Sequence, residues 1–201
     1  MSIRIPYFSS TLFTLVTLFL VSWSGNAQAI GSEPSTRYVS ATYQEFEDQF
    51  DFDGAGFDVS GRLGRHWLLA GSYAEVSAQA GDIKTDWDIT SARLGYMLYE
   101  GDSVALYSGP QALYISYQDE GSMSEDSETN FGAFVTLRYM ATLNIELNGE
   151  LSYIHFDTIS GDTLLQYNAG TRFFLFEHLT LDATAKFGEW SGFQVGVSFH
   201  F

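Results

Sequence analysis

From Val39 to the terminal Phe201 the chain alternates apolar with small or polar residues, and a period of two admits strands while excluding amphipathic helices. In the last segment Phe193, Val195, Val197, Phe199 and Phe201 share one face, and Gln194, Gly196, Ser198 and His200 share the other. The split recurs upstream, with Leu179, Leu181, Ala183, Ala185 and Phe187 against Thr180, Asp182, Thr184 and Lys186. In the third segment Leu68, Ala70, Ala74 and Val76 form the apolar set against Gly71, Tyr73, Glu75 and Ser77. Ten strands follow, over residues 37–46, 54–64, 67–78, 87–99, 104–118, 130–140, 143–156, 163–176, 179–188 and 191–201. Gly109-Pro110 interrupts the fifth, and a proline there implies a bulge or a missing ladder bond.

Alternation alone does not choose between a soluble core and lipid. The polar face does, because it is mostly Gly, Ser, Thr and Asn, side chains small enough for a narrow lumen. The apolar face carries no charge near its middle in the clean strands, and a Lys or Arg at the bilayer midplane would cost about 2–4 kcal/mol. Tyr43, Tyr139, Tyr153, Phe173 and Phe187 lie near strand ends, where aromatic girdles belong. Tight connections at Arg65-His66, Gly101-Asp102, Ala141-Thr142 and Glu177-His178 alternate with mostly longer ones rich in Asp, Glu, Ser and Gly. The expected fold is therefore an all-β, transmembrane, antiparallel up-and-down barrel embedded in outer-membrane lipid, with both termini periplasmic. Eight strands remain the alternative, with two of the ten segments in loops.

Ahead of the strands, Arg4 precedes an almost wholly apolar stretch from Leu12 to Trp23 and the small-residue triplet Ala27-Gln28-Ala29. An apolar run of about a dozen residues is too short to span as a helix, which needs roughly 20. Residues 1–29 read as a secretory signal peptide, leaving 30–201 as one barrel domain. There is no cysteine, so disulfides and thiolate metal sites are excluded. The chain carries 9 Lys and Arg against 25 Asp and Glu, a net charge of −16 that repels nucleic acid.

Residues 192–201, Gly-Phe-Gln-Val-Gly-Val-Ser-Phe-His-Phe, resemble the C-terminal signature of Gram-negative outer-membrane barrels. That resemblance implies recognition of Phe193, Val195, Val197, Phe199 and Phe201 by the barrel assembly machinery. The chain from residue 30 onward resembles the small OmpA-like and opacity-type barrels of the porin-like class. It departs from the OmpA-like pattern in strand number, ten against eight.

The faces assign Arg62, Arg93, Arg138, Arg172 and Lys186 to the lumen with Asp58, Glu75, Glu146, Glu150 and Asp182, an ion-paired interior. A turn centred on Thr142 would set Arg138 directly opposite Glu146, and one centred on Glu177 would set Arg172 opposite Asp182. The longer connections collect acids, including Glu45, Glu47, Asp51, Asp53, Asp86, Asp88, Asp126, Glu128 and Asp157. These read as a solvated rim, or as oxygen ligands for divalent cations, although no EF-hand spacing is present. Asp51-Phe52-Asp53 and His155-Phe156-Asp157 are similar to the Asp/Asp and Asp/His pairs of omptin proteases, with the second pair in reversed order. No catalytic constellation or cofactor site is assigned. The function expected is a structural or surface-interaction role in adhesion or envelope integrity, the alternative a porin-like channel, with an outer-membrane protease or lipid A-modifying enzyme behind both.

Overall fold

The computed structural model describes residues 34–47, 51–80, 83–119, 126–156 and 163–201. The expected signal peptide, residues 1–29, lies outside the described residues, as does Asp157. Ten strands run in chain order: β1 (Tyr38–Glu47), β2 (Asp51–Leu63), β3 (Trp67–Ala80), β4 (Ile83–Glu100), β5 (Val104–Asp119), β6 (Asp126–Thr142), β7 (Ile145–His155), β8 (Thr163–Phe176), β9 (Leu179–Gly188) and β10 (Ser191–His200). Each pairs antiparallel with its neighbours in sequence, and β1 closes on β10, so the sheet is a barrel without edges. Ten strands, not eight, form the wall.

The hairpins at the rim where β1 begins and β10 ends are tight. Between β2 and β3, Gly64 adopts a φ of 67°, a left-handed conformation that glycine reaches without steric cost. Bulges interrupt the ladders beside three such turns, at Met97/Tyr99, Met140/Thr142 and Phe174/Phe176. Bulges collect at barrel rims because they terminate pairing and increase twist. Along β5, pairing with β4 lapses at Gly109-Pro110 while pairing with β6 continues. Proline has no N–H to donate there.

At the other rim β2, β4 and β6 begin earlier than the alternation marks, at Asp51, Ile83 and Asp126. The first three of the expected long connections shrink accordingly, to residues 48–50, 81–82 and 120–125, whereas the others, 156–162 and 189–190, keep nearly the expected length. Many acids assigned to loops thus stand on strands, among them Glu45, Glu47, Asp51, Asp53, Asp86, Asp88, Asp126 and Glu128. Ladder hydrogen bonds continue into water regardless of whether the side chains alternate in polarity.

The exterior is apolar over the middle of the wall. Leu147, Leu151, Tyr153, Tyr167, Phe173, Leu181, Phe187, Phe193, Val195, Val197 and Phe199 are all more than 40% exposed in the isolated chain. A closed barrel leaves these side chains nothing of its own to pack against, so lipid must cover them. The girdle residues Tyr43, Tyr139, Tyr153, Phe173 and Phe187 all belong to this exposed set.

β3 reverses the expected faces. Leu63 pairs with Trp67 across the hairpin, and both are exposed, so Trp67, Leu69, Tyr73 and Glu75 point outward. Leu68, Ala74, Val76 and Ala78 are buried in the interior instead. Glu75 is accordingly not a lumen residue. In β3 both sets hold apolar residues, so alternation could not choose the face, whereas the hairpin register does.

Candidate functional site

The interior is built in three layers, and in the layer where β1 begins, an ionic cluster on β6 to β10 is accompanied by the buried Leu68, Met97, Ala105 and Tyr107 of β3 to β5. Glu146 stands opposite Arg172 across β7/β8, and Arg172 stands opposite Asp182 across β8/β9. Arg172 therefore lies between two carboxylates, at 3.5 Å from Glu146 and 2.9 Å from Asp182. Its guanidinium also lies 4.1 Å from the centre of the Tyr38 ring, a cation–π contact. Asp182 accepts further hydrogen bonds from Thr180 Oγ1, at 3.0 Å, and from Ser198 Oγ. Burial of Arg172 and Glu146 is nearly complete, at 7% and 1% exposure.

Arg138 does not oppose Glu146. It stands opposite Asn148, while Glu146 faces Met140, which centres the hairpin on Leu143 rather than Thr142. Moving the centre by one residue moves each partner by two, so both side chains stay inside although their pairing changes. Arg138 instead donates to the carbonyl of Ser35, in the segment ahead of β1. His200 joins this layer between Ser35 Oγ at 2.5 Å and Thr180 Oγ1 at 3.0 Å.

The middle layer is polar and borders a cavity of about 270 Å³, whose lining also takes in Arg138 and Arg172 of the ionic layer and Phe46, Leu113 and Ile154 on the side of the acidic rim. Arg93 of β4 reaches across to Glu150 of β7 at 2.7 Å, and Glu150 also accepts from Asn168 Nδ2 at 3.3 Å. Asp58 accepts from Gln194 Nε2 at 2.9 Å, and Lys186 Nζ donates to Gln44 Oε1 at 2.5 Å. Arg62 sits apart at the rim, 2.8 Å from Glu100, a partner absent from the sequence assignment.

The third layer, toward the acidic rim, is apolar, and sequence reasoning missed it. Phe46, Phe52, Ala74, Val76, Ile89, Leu113, Ile115, Ile154, Phe156 and Leu164 pack together inside the barrel, with Trp87 and Trp190 against them. Four rings form a closed cluster within it: Phe46 lies 5.3 Å from Phe52 and 5.4 Å from Trp190, Phe52 lies 4.4 Å from Trp87, and Trp87 lies 6.1 Å from Trp190. The available signal was Phe46 and Phe52, apolar residues at positions whose parity points inward.

Outside this layer, acids stand on the outer faces of β1 to β4. Glu45 opposes Asp53, Glu47 opposes Asp51 and Glu75 opposes Asp88, three like-charged cross-strand pairs. Like charges directly opposite are destabilising, so this surface keeps a strong negative field. Tyr73 Oη donates to Asp88 at 2.7 Å, and Lys84 pairs with Asp86 at 2.7 Å. Among the described residues no group of three or more His, Asp or Glu side chains is arranged to hold a metal ion. Asp51 and Asp53 on β2 and His155 on β7 are exposed on strands that are not neighbours, so among the described residues Asp51 and Asp53 are not brought together with His155.

A closed antiparallel barrel with a lipid-facing exterior and an ion-paired interior defines a small transmembrane β-barrel of the outer-membrane class. No protein-family model matches the chain, and no curated protein is significantly similar to it. Similar solved structures include the outer membrane protein OprG from Pseudomonas aeruginosa, at 11% identity and a TM-score of 0.48 over 87% of this chain and 99% of that one. Neisserial surface protein A is similar at 13% identity and a TM-score of 0.48, over 82% of this chain and 95% of its own. Ail, the attachment invasion locus protein of Yersinia pestis, is similar at 15% identity and a TM-score of 0.42, over 84% and 99%. Likeness at these values concerns barrel architecture alone.

Proposed function

We propose that this chain is a sealed outer-membrane barrel with a structural or surface-interaction role, working through its acidic outer rim in adhesion or envelope integrity. In this reading the signal peptide is removed after Ala29, the chain ends and tight turns face the periplasm, and the Phe201 strand is what the assembly machinery recognises. The observation that carries it is the double closure of the bore. The apolar cluster of Phe46, Phe52, Ile115, Ile154 and Leu164 packs across one end, and at the other the buried Arg172, Glu146 and Asp182 cluster narrows the bore beneath the Pro34–Thr36 segment, which Glu146 and Arg138 hold. Packed interiors are typical of barrels with few strands, where the bore is only about as wide as the side chains it holds. The negative field of the outer strands favours cationic partners and opposes anionic ones. Planar-bilayer recording of the refolded protein tests the reading. No discrete conductance steps are expected, and a stable single-channel conductance would return the porin-like alternative.

A further inference from the structure

The described chain begins with a segment that belongs to no strand, yet Pro34, Ser35 and Thr36 are buried. Four residues on four different strands hold it. Glu146 of β7 accepts the Ser35 N–H at 2.7 Å, and Arg138 of β6 donates to the Ser35 carbonyl. His200 of β10 meets Ser35 Oγ at 2.5 Å, and Ser60 of β2 donates to the Thr36 carbonyl at 3.0 Å. In the ring, β2 and β10 flank β1, whereas β6 and β7 stand on the opposite wall. The segment therefore crosses the mouth. Three of the four contacts engage its main chain, and the two to Glu146 and Arg138 grip the N–H and C=O of one residue with opposite charges.

We propose that Pro34–Thr36 is a displaceable plug, which shuts the polar chamber from the side where β1 begins and is held by a clamp of Arg138, Glu146, His200 and Ser60. A wall strand cannot leave without breaking two ladders. This segment has no ladder and is retained by a handful of hydrogen bonds, so it opens at far smaller cost than the barrel unfolds. The clamp residues Arg138 and Glu146 themselves line the chamber, together with Arg93, Glu150, Lys186 and Thr184 and with apolar groups, and it admits water or a small polar solute once the plug moves. The ring layer stays in place, so opening the plug exposes the chamber from one side without creating a through-channel.

The proposal rests on the sealed-barrel reading, and the experiment separates the two. Because the chain has no cysteine, Thr184→Cys is a unique reporter inside the chamber. The full-length refolded protein is treated in lipid vesicles with a charged, membrane-impermeant methanethiosulfonate, with and without Ser35→Pro, which removes the N–H and the hydroxyl used by the clamp. Heat-modifiable gel mobility reports whether the barrel is folded. Loss of one hydrogen bond to a charged group shifts the open population by about tenfold or more, and the labelling rate should rise in proportion. Ser60→Ala, which removes only the donor to Thr36, should give a smaller rise and carries the test should Ser35→Pro misfold. Equal labelling rates with and without the plug substitution in folded protein would overturn the plug. Conductance in the parent protein would instead overturn the sealed barrel, and increased labelling with a silent bilayer supports both.

Discussion

Removing Arg172 should expose the ionic layer as the main polar stabiliser of the lumen. Arg172 is shared between Glu146 at 3.5 Å and Asp182 at 2.9 Å, with side-chain exposures of 8%, 1% and 17% for the three groups. Unit charges at the longer distance attract by about 5 kcal/mol in an effective dielectric of about 20, and desolvation offsets much of this. What does not cancel is the penalty for leaving a carboxylate buried and alone, which puts the loss of one partner of a buried pair at about 3–5 kcal/mol. Glu146 keeps the Ser35 N–H and Asp182 keeps Thr180 and Ser198, so Arg172→Ala is expected near the lower end, at roughly 3 kcal/mol. Glu146→Ala leaves Arg172 paired to Asp182 and should cost less. Once Arg172 is absent, deleting Glu146 removes an unpaired charge rather than a paired one, so the double variant should recover about 1–3 kcal/mol relative to the sum of the singles. Urea unfolding in lipid vesicles, followed by tryptophan fluorescence, measures all four corners of the cycle. Additivity within about 0.5 kcal/mol would show that the two groups do not act as a pair and would refute the argument.

Two further outcomes test the exterior and the export signal. Leu151→Arg places a charge on the lipid face and should cost about 2–4 kcal/mol if the site is near the midplane, whereas a loss below about 1 kcal/mol would place Leu151 outside the hydrocarbon. N-terminal sequencing of the outer-membrane fraction should begin at Ile30, and folded protein that retains Met1 would contradict the signal-peptide assignment.

Strand number, the lipid-facing face and the inward direction of Arg93, Arg138, Glu146, Glu150, Arg172, Asp182 and Lys186 were all legible in the sequence. A period of two records which side chains share a face, and a charge on the lipid face is too costly to be hidden. The alternation failed where neither set was polar or where water replaced lipid. In β3 the face had to be set by the Leu63–Trp67 hairpin pairing, which put Glu75 outside. Above the hydrocarbon, acids continued the strands of β1, β2, β4 and β6 because ladder bonds form in water as well as in lipid.

Which charges meet was decided only by the closed barrel. Register depends on the turn centre and on bulges such as Met140/Thr142, so a shift of one residue in the β6–β7 turn set Met140 rather than Arg138 opposite Glu146, while the separate β7–β8 register set Arg172 beside it. Contacts between segments that are not neighbours, such as Arg93 with Glu150, Ser35 with Glu146, and Trp87 with Trp190, join residues dozens to more than a hundred positions apart. The sequence by itself determined how most strands, though not β3, divide between lipid and lumen, because that division follows from transfer energies read one residue at a time. Ring closure determined the rest, since only when β1 meets β10 do the inward faces confront one another and form an aromatic layer, a polar chamber and an ionic mouth.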